Sequence, residues 1–193
     1  MKMYENKFKN EKSTGIEDLD NFLTLIADAD EDIELFAIGG TAMTLKNIKL
    51  STKDIDFLTT STYDKIKRIF TLSGLKEISS SKQPNIWRWK NSIRIDIFYG
   101  EFIMGITLPD DCIKSSILMR KIGKIKLFIL NWYDIIITKI ARSEERDLTD
   151  VLAIIKTQKI DLKKLKKRYF DLAPISLISD YKIKYDRLEW RLK

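Results

Sequence analysis

The sequence predicts an α/β (α+β) fold, a small mixed or antiparallel sheet followed by a helical C-terminal part. Three observations carry this. Short apolar runs of strand length at 34–38, 54–58 and 93–98 alternate with helical patterns in the first half of the chain. From Asn131 onward the apolar residues recur at helical spacing alone. Of 193 residues 44% are hydrophobic, with only 7 Gly and 3 Pro, enough for a core and unlike a disordered or low-complexity chain.

Residues 1–14 read as a polar arm. Ser13 or Thr14 is the expected N-cap of a helix over 16–29, whose Leu19, Phe22, Leu23 and Ile26 form one apolar stripe. Glu34–Ile38 reads as a buried strand stopped by Gly39-Gly40, after which Thr41 is expected to cap a brief helix through Leu45. Beyond a polar loop at 46–53, Asp54–Leu58 makes the next strand, and 62–73 a helix with Ile66, Ile69 and Phe70 inward. Trp87-Arg88-Trp89 and Ile93–Phe98 make two strands joined by Lys90-Asn91-Ser92. In the second, Ile93, Ile95 and Ile97 share one face and Arg94, Asp96 and Phe98 the other. Ile117–Met119 and Lys124–Ile129 form another strand pair turning at Gly123. Asn131, with Asp134 three residues on, starts a helix to about Lys156, with a break expected near Ser143. Two further amphipathic helices follow at 161–172 and 175–192. The expected division is a core over 1–105, with the strand pair and helices of 106–193 packed on it.

Histidine is absent, which removes Ser-His-Asp and Cys-His nucleophiles, imidazole zinc sites and histidine bases. Cys112 is the single cysteine, so neither a disulfide framework nor a multi-cysteine zinc site can form, and an intracellular chain is the default. It follows Asp110-Asp111 without a basic activator and reads as a packing residue. The polar opening residues lack a secretory apolar core, and the stretch 127–140 is interrupted by Asn131, Asp134 and Lys139; a cytoplasmic protein without a membrane segment is expected.

Charge points to an anionic partner such as a nucleotide or RNA, since 35 Lys+Arg against 28 Asp+Glu leave +7. Much of the surplus lies at 156–168, where six lysines and Arg168 face Asp161 alone. That run reads either as a guide for RNA phosphates or as a solvated helix face. Trp87 and Trp89 read either as base-stacking residues or as cross-strand packing.

The residues able to do chemistry form a three-part constellation. Gly39-Gly40-Thr41 ends one strand and opens a helix, Asp54-Ile55-Asp56 begins the next strand, and Asp96 sits on a later one. On a strand, residues i and i+2 share a face about 6.5–7 Å apart, so Asp54 and Asp56 point the same way. Such oxygen donors suit Mg²⁺, and a third carboxylate could complete a two-metal site or act as the base for an attacking hydroxyl. Glycines let backbone N–H groups approach a triphosphate. The Asp-x-Asp spacing alone is weak, because Asp18/Asp20, Asp28/Asp30 and Glu145/Asp147 share it. On a continuous helix Lys139, Arg142, Arg146 and Asp150 would form one stripe, either a phosphate clamp or a salt-bridged exposed face.

Phe36-Ala-Ile-Gly-Gly-Thr-Ala-Met-Thr-Leu45 followed by Ser51-Thr-Lys-Asp-Ile-Asp-Phe57 resembles the core motif of the nucleotidyltransferase superfamily related to DNA polymerase β. Lys139-Ile-Ala-Arg142 and Arg146-Asp147-Leu-Thr-Asp150 are similar to the C-terminal helical motif of its minimal prokaryotic branch, which includes abortive-infection toxins. The resemblance implies a polymerase-β-like sheet and transfer of an NMP from an NTP to a hydroxyl of RNA, a tRNA end, a protein or a small molecule, in a setting that includes toxin–antitoxin pairs. It further implies that Asp54, Asp56 and Asp96 are catalytic and bind two Mg²⁺ (or Mn²⁺) ions. Gly39, Gly40 and Thr41 would hold the triphosphate, and Thr52, Lys139, Arg142 and Arg146 complete the nucleotide contacts. Leu50 stands where many relatives carry an arginine. The alternatives are a catalytically silent nucleotide- or RNA-binding module, an antitoxin-like interaction protein, or a structural domain with a coincidental Asp-x-Asp.

Overall fold

A computed structural model describes residues 13–80, 84–90, 92–100, 102–103, 105–109 and 111–193. The arm at 1–12, Asn91 of the expected turn and Asp110 lie outside them. In chain order the elements are α1 (Ile16–Ala27), β1 (Ile33–Ala37), α2 (Gly39–Leu45), β2 (Asp54–Thr59), α3 (Tyr63–Leu72), β3 (Lys76–Ser79), β4 (Asn85–Trp89), β5 (Ile93–Tyr99), β6 (Phe102–Ile103), β7 (Ile106–Thr107), α4 (Asp111–Lys114), β8 (Ile117–Ile122), β9 (Ile125–Ile129), α5 (Trp132–Arg142), α6 (Glu145–Gln158), α7 (Leu162–Leu172) and α8 (Tyr181–Arg191).

Seven strands form one mixed sheet in the order β3-β4-β5-β2-β1-β9-β8, and β6 and β7 pair separately. Two contacts are parallel, β2 with β5 and β1 with β9. The strand pair of the second segment therefore extends the sheet of the first. In register, Ile55 faces Ile95, Phe57 faces Ile97, and Trp87 lies opposite Ile95. This apolar face is covered by α1 and α3, where Phe22 meets Phe70 edge-on at 5.6 Å and stacks near Phe57, and Phe70 packs on Trp87 at 5.3 Å. Both hairpin tryptophans are buried, so packing rather than base stacking accounts for them. The opposite face carries Asp54, Asp56, Arg94 and Asp96, with Phe36 stacked on Phe128 farther along.

Several helix starts differ from expectation because the residue expected to cap is engaged elsewhere in the fold. The N-cap of α1 is Gly15, whose N–H donates to Asp18 at 3.2 Å. Thr14 instead joins a two-residue bridge to Thr52, with backbone bonds of 2.7 and 2.9 Å. Asn131 does cap α5, accepting from the Tyr133 N–H, but Asp134 does not complete a capping box. It is fully buried and held by Arg168 of α7 at 2.8 and 2.9 Å; the same guanidinium binds Asp111 of α4. Arg168 thus leaves the basic run to lock three helices. Lys166 and Lys167 pair with Glu189 and Asp171 at the surface.

The long helix expected from Asn131 breaks at Ser143, whose φ of 57° ends α5 before α6 begins. The final helix starts at Tyr181 rather than at 175. Cys112 is buried, and burial pushes its thiol up to about 12, as suits a packing residue. Among the described residues no helix is long and apolar enough to cross a membrane.

Candidate active site

β2 leaves the 46–53 loop with its alternation set by Ile55 and Phe57, both fully buried, so Asp54 and Asp56 take the other face. Parallel pairing places Asp56 directly beside Asp96 and Asp54 beside Arg94, and neighbouring strands lie about 4.8 Å apart. Burial raises Asp56 well above the ordinary carboxylate range, and the charges of Asp96 and Asp54 push it further, against the opposing pull of Lys139 and Arg142. Burial raises Asp96 as well, offset in part by Arg94. The three expected carboxylates therefore share one patch.

Gly39 and Gly40 border this patch. Gly39 has φ of +54° and leaves 3.1 Å between a built Cβ position and Asp56 Oδ2. A Cβ on Gly40 would overlap Thr52 Oγ1 and stand 2.9 Å from its Cβ, so the turn and Thr52 interlock. Thr41 is not an N-cap; that position is Ile38. Its buried hydroxyl accepts from Asp56 N–H at 2.8 Å and donates to the Asp54 carbonyl at 3.3 Å. These two bonds fix β2 beneath the turn.

A cavity of ≈ 510 Å³ is lined by the three carboxylates together with Gly39, Gly40, Thr52, Lys139, Arg142 and Arg146. The break at Ser143 rules out a single continuous stripe, yet the α5–α6 hairpin brings the same groups together. Buried Lys139 donates to Asp150 at 2.6 Å and lies 3.6 Å from Asp147. Arg142 grips Asp147 through two bonds, the Nε–Oδ2 bond being 2.6 Å. Burial would raise Asp147, but the bonds and charge of Arg142, with Lys139 behind, outweigh it and hold the carboxyl low. Arg146 is exposed and pairs with Glu144 at 2.7 Å.

Three further residues join the site. Lys49, beside the Leu50 departure, lines the cavity and binds Asp150 at 2.6 Å, while Leu50 itself is 97% exposed. Lys53 also lines the cavity. Arg94 engages both oxygens of Asp96, Nε–Oδ1 at 2.7 Å and Nη2–Oδ2 at 2.8 Å, and its Nε lies 4.0 Å from Asp54 Oδ1. Its place two residues before Asp96 on one strand face was a readable signal. Lys49 gave none, because its partner lies 101 residues away in sequence.

The donor set fits a hard divalent cation at Asp54 and Asp56. Asp54 Oδ1 is buried without a hydrogen-bond partner, and Mg²⁺ is commonly held by one or two carboxylates plus substrate phosphates. A three-carboxylate cage is not assembled: among the described residues no group of three such ligands is poised for a metal.

A family profile described as "Nucleotidyltransferase of unknown function (DUF6036)" matches residues 15–193. The chain belongs to this nucleotidyltransferase family. No curated protein sequence matches it. Among solved structures, the antibiotic-resistance factor ANT(2'')-Ia is similar at 13% identity and TM-score 0.59, over 91% of this chain and 96% of that one. An antigenic nucleotidyltransferase-like protein from Paracoccidioides brasiliensis is similar at 15% identity and TM-score 0.50, over 75% and 78%. At these identities the likeness concerns the fold, and it agrees with the mixed sheet expected of a nucleotidyltransferase.

Proposed function

We propose that this member transfers a nucleoside monophosphate from an NTP to a hydroxyl acceptor and releases pyrophosphate. The observation that carries the reading is the juxtaposition of Asp54, Asp56 and Asp96 with the Lys139–Arg142 wall across one cavity bordered by Gly39-Gly40. Asp54 and Asp56 would hold Mg²⁺, or Mn²⁺, which when bound supplies charge neutralisation at the α-phosphate and the leaving oxygen. The glycines admit the triphosphate to the backbone. Lys49, Lys139, Arg142 and Arg146 bind its oxygens, the first three oriented by Asp147 and Asp150. Arg142 gives planar two-point contacts and the lysines point charges. Asp96 accepts the acceptor proton as that oxygen bonds to the α-phosphorus, and the bond to the β-phosphate bridging oxygen breaks.

The acceptor belongs to RNA or a tRNA end, a protein or a small molecule, in the cytoplasm and in a toxin–antitoxin setting. A second reading, a silent nucleotide- or RNA-binding module or antitoxin-like partner, draws on one observation: Arg94 already engages both oxygens of Asp96. Incubation with each α-³²P-labelled NTP, Mg²⁺ and total RNA, protein or metabolite fractions separates the two. Label should appear in one fraction and vanish with Asp54→Ala/Asp56→Ala. Saturable nucleotide binding without label transfer in any fraction would favour the silent module.

A further inference from the structure

Among the described residues Arg94 is the cation embedded in the carboxylate patch itself. Parallel register sets it directly across from Asp54, on the same sheet face as Asp56 and Asp96. Its side chain is 17% exposed, and its guanidinium contacts both oxygens of Asp96 while its Nε lies 4.0 Å from Asp54 Oδ1. An ion shared by Asp54, Asp56 and Asp96 would have to bind a carboxylate whose two oxygens each already accept an Arg94 N–H, with that fixed cation beside it. A guanidinium stays charged at every accessible pH, so the position holds a permanent positive charge.

We propose that Arg94 stands in the place of the second cation, so that the site works with one divalent ion, at Asp54 and Asp56, instead of the two expected from the sequence. The proposal rests on the nucleotidyl-transfer reading above. A second dication at Asp96 would sit directly against the guanidinium that already contacts both of its oxygens. Asp96 then serves as the held proton acceptor, and Arg94 is a positioning residue that sets its orientation. Because Arg94 and Asp96 lie two residues apart on one strand, the clamp is local to β5 and does not depend on the nucleotide to assemble it.

The test is a count of bound Mn²⁺ by electron paramagnetic resonance, with the chain in excess over α,β-methylene-ATP so that all of the nucleotide is bound. The wild-type complex should hold one Mn²⁺ per nucleotide, Arg94→Gln two, and Arg94→Lys, which keeps a cation, one. Two ions in the wild-type complex would overturn the proposal, and so would one ion in a folded Arg94→Gln chain. Should Arg94→Gln fail to fold, the wild-type count alone decides, one supporting and two overturning. If nucleotide neither binds nor recruits any Mn²⁺ in the wild type, the parent reading fails, an outcome distinct from a count of two.

Discussion

Gly40→Ala should loosen the turn that the triphosphate is proposed to meet. The added Cβ would overlap Thr52 Oγ1 and lie 2.9 Å from Thr52 Cβ. Neither side can yield freely, because Thr52 is tied to Thr14 by two backbone bonds and Gly40 enters a helix whose Thr41 is bonded to β2. Overpacking of this kind costs about 1–3 kcal/mol. For a chain of this size each kcal/mol moves Tm by about 2–4 °C, so the melting point should fall by about 2–12 °C. Thr52→Gly removes both offending atoms and leaves Thr52 Cα at 3.9 Å, an ordinary contact. The double variant should therefore be more stable than the sum of the single changes predicts, by about 0.5–3 kcal/mol. Thermal and urea melts of the four proteins give the cycle. Additive effects, or a Gly40→Ala protein that melts with the wild type, would refute the interlocking of turn and loop.

Asp56 gives a pH prediction. Its folded-state affinity for a proton is raised above the unfolded value of 3.8, so its contribution is greatest at low pH and stability is lost as pH climbs toward the folded value. Metal-free wild type should lose Tm over that range, and Asp56→Asn should flatten the decline and melt higher near pH 8. A variant that melts no higher than wild type there would remove the like-charge account of the patch. Arg168→Met should cost about 3–5 kcal/mol, because it strands the fully buried Asp134 carboxylate. Adding Asp134→Asn should recover part of that loss, and equal melting of the single and double variants would contradict the helix lock. Lys139→Met should weaken Mg²⁺-ATP binding in a titration at least tenfold; unchanged affinity would remove the residue from the phosphate wall.

The main strands and most helices were legible because burial imposes period on the chain: Ile55 and Phe57, or Ile93, Ile95 and Ile97, must face the core, and the aspartates between them then share the other face. What periodicity cannot convey is the partner of a polar side chain. Thr41 and Asp134 have residue types suited to helix caps, but each bonds across the fold instead. β3 was missed because its Lys76–Ser79 segment is a partly exposed edge, and β6 and β7 have two residues each. Arg94 is readable from its strand face, two residues before Asp96. Lys49 joins the wall only through tertiary contact with Asp150, for which a local pattern carries no trace.

Nucleotidyl transfer is decided by the fate of the α-phosphate. Parallel reactions with α-³²P- and γ-³²P-ATP, Mg²⁺ and the accepting fraction should place α-label on the acceptor and γ-label in pyrophosphate, with neither product formed by Asp54→Asn/Asp56→Asn. Transfer of γ-label to the acceptor, or equal α-label transfer by the double variant, would contradict nucleotidyl transfer at this site.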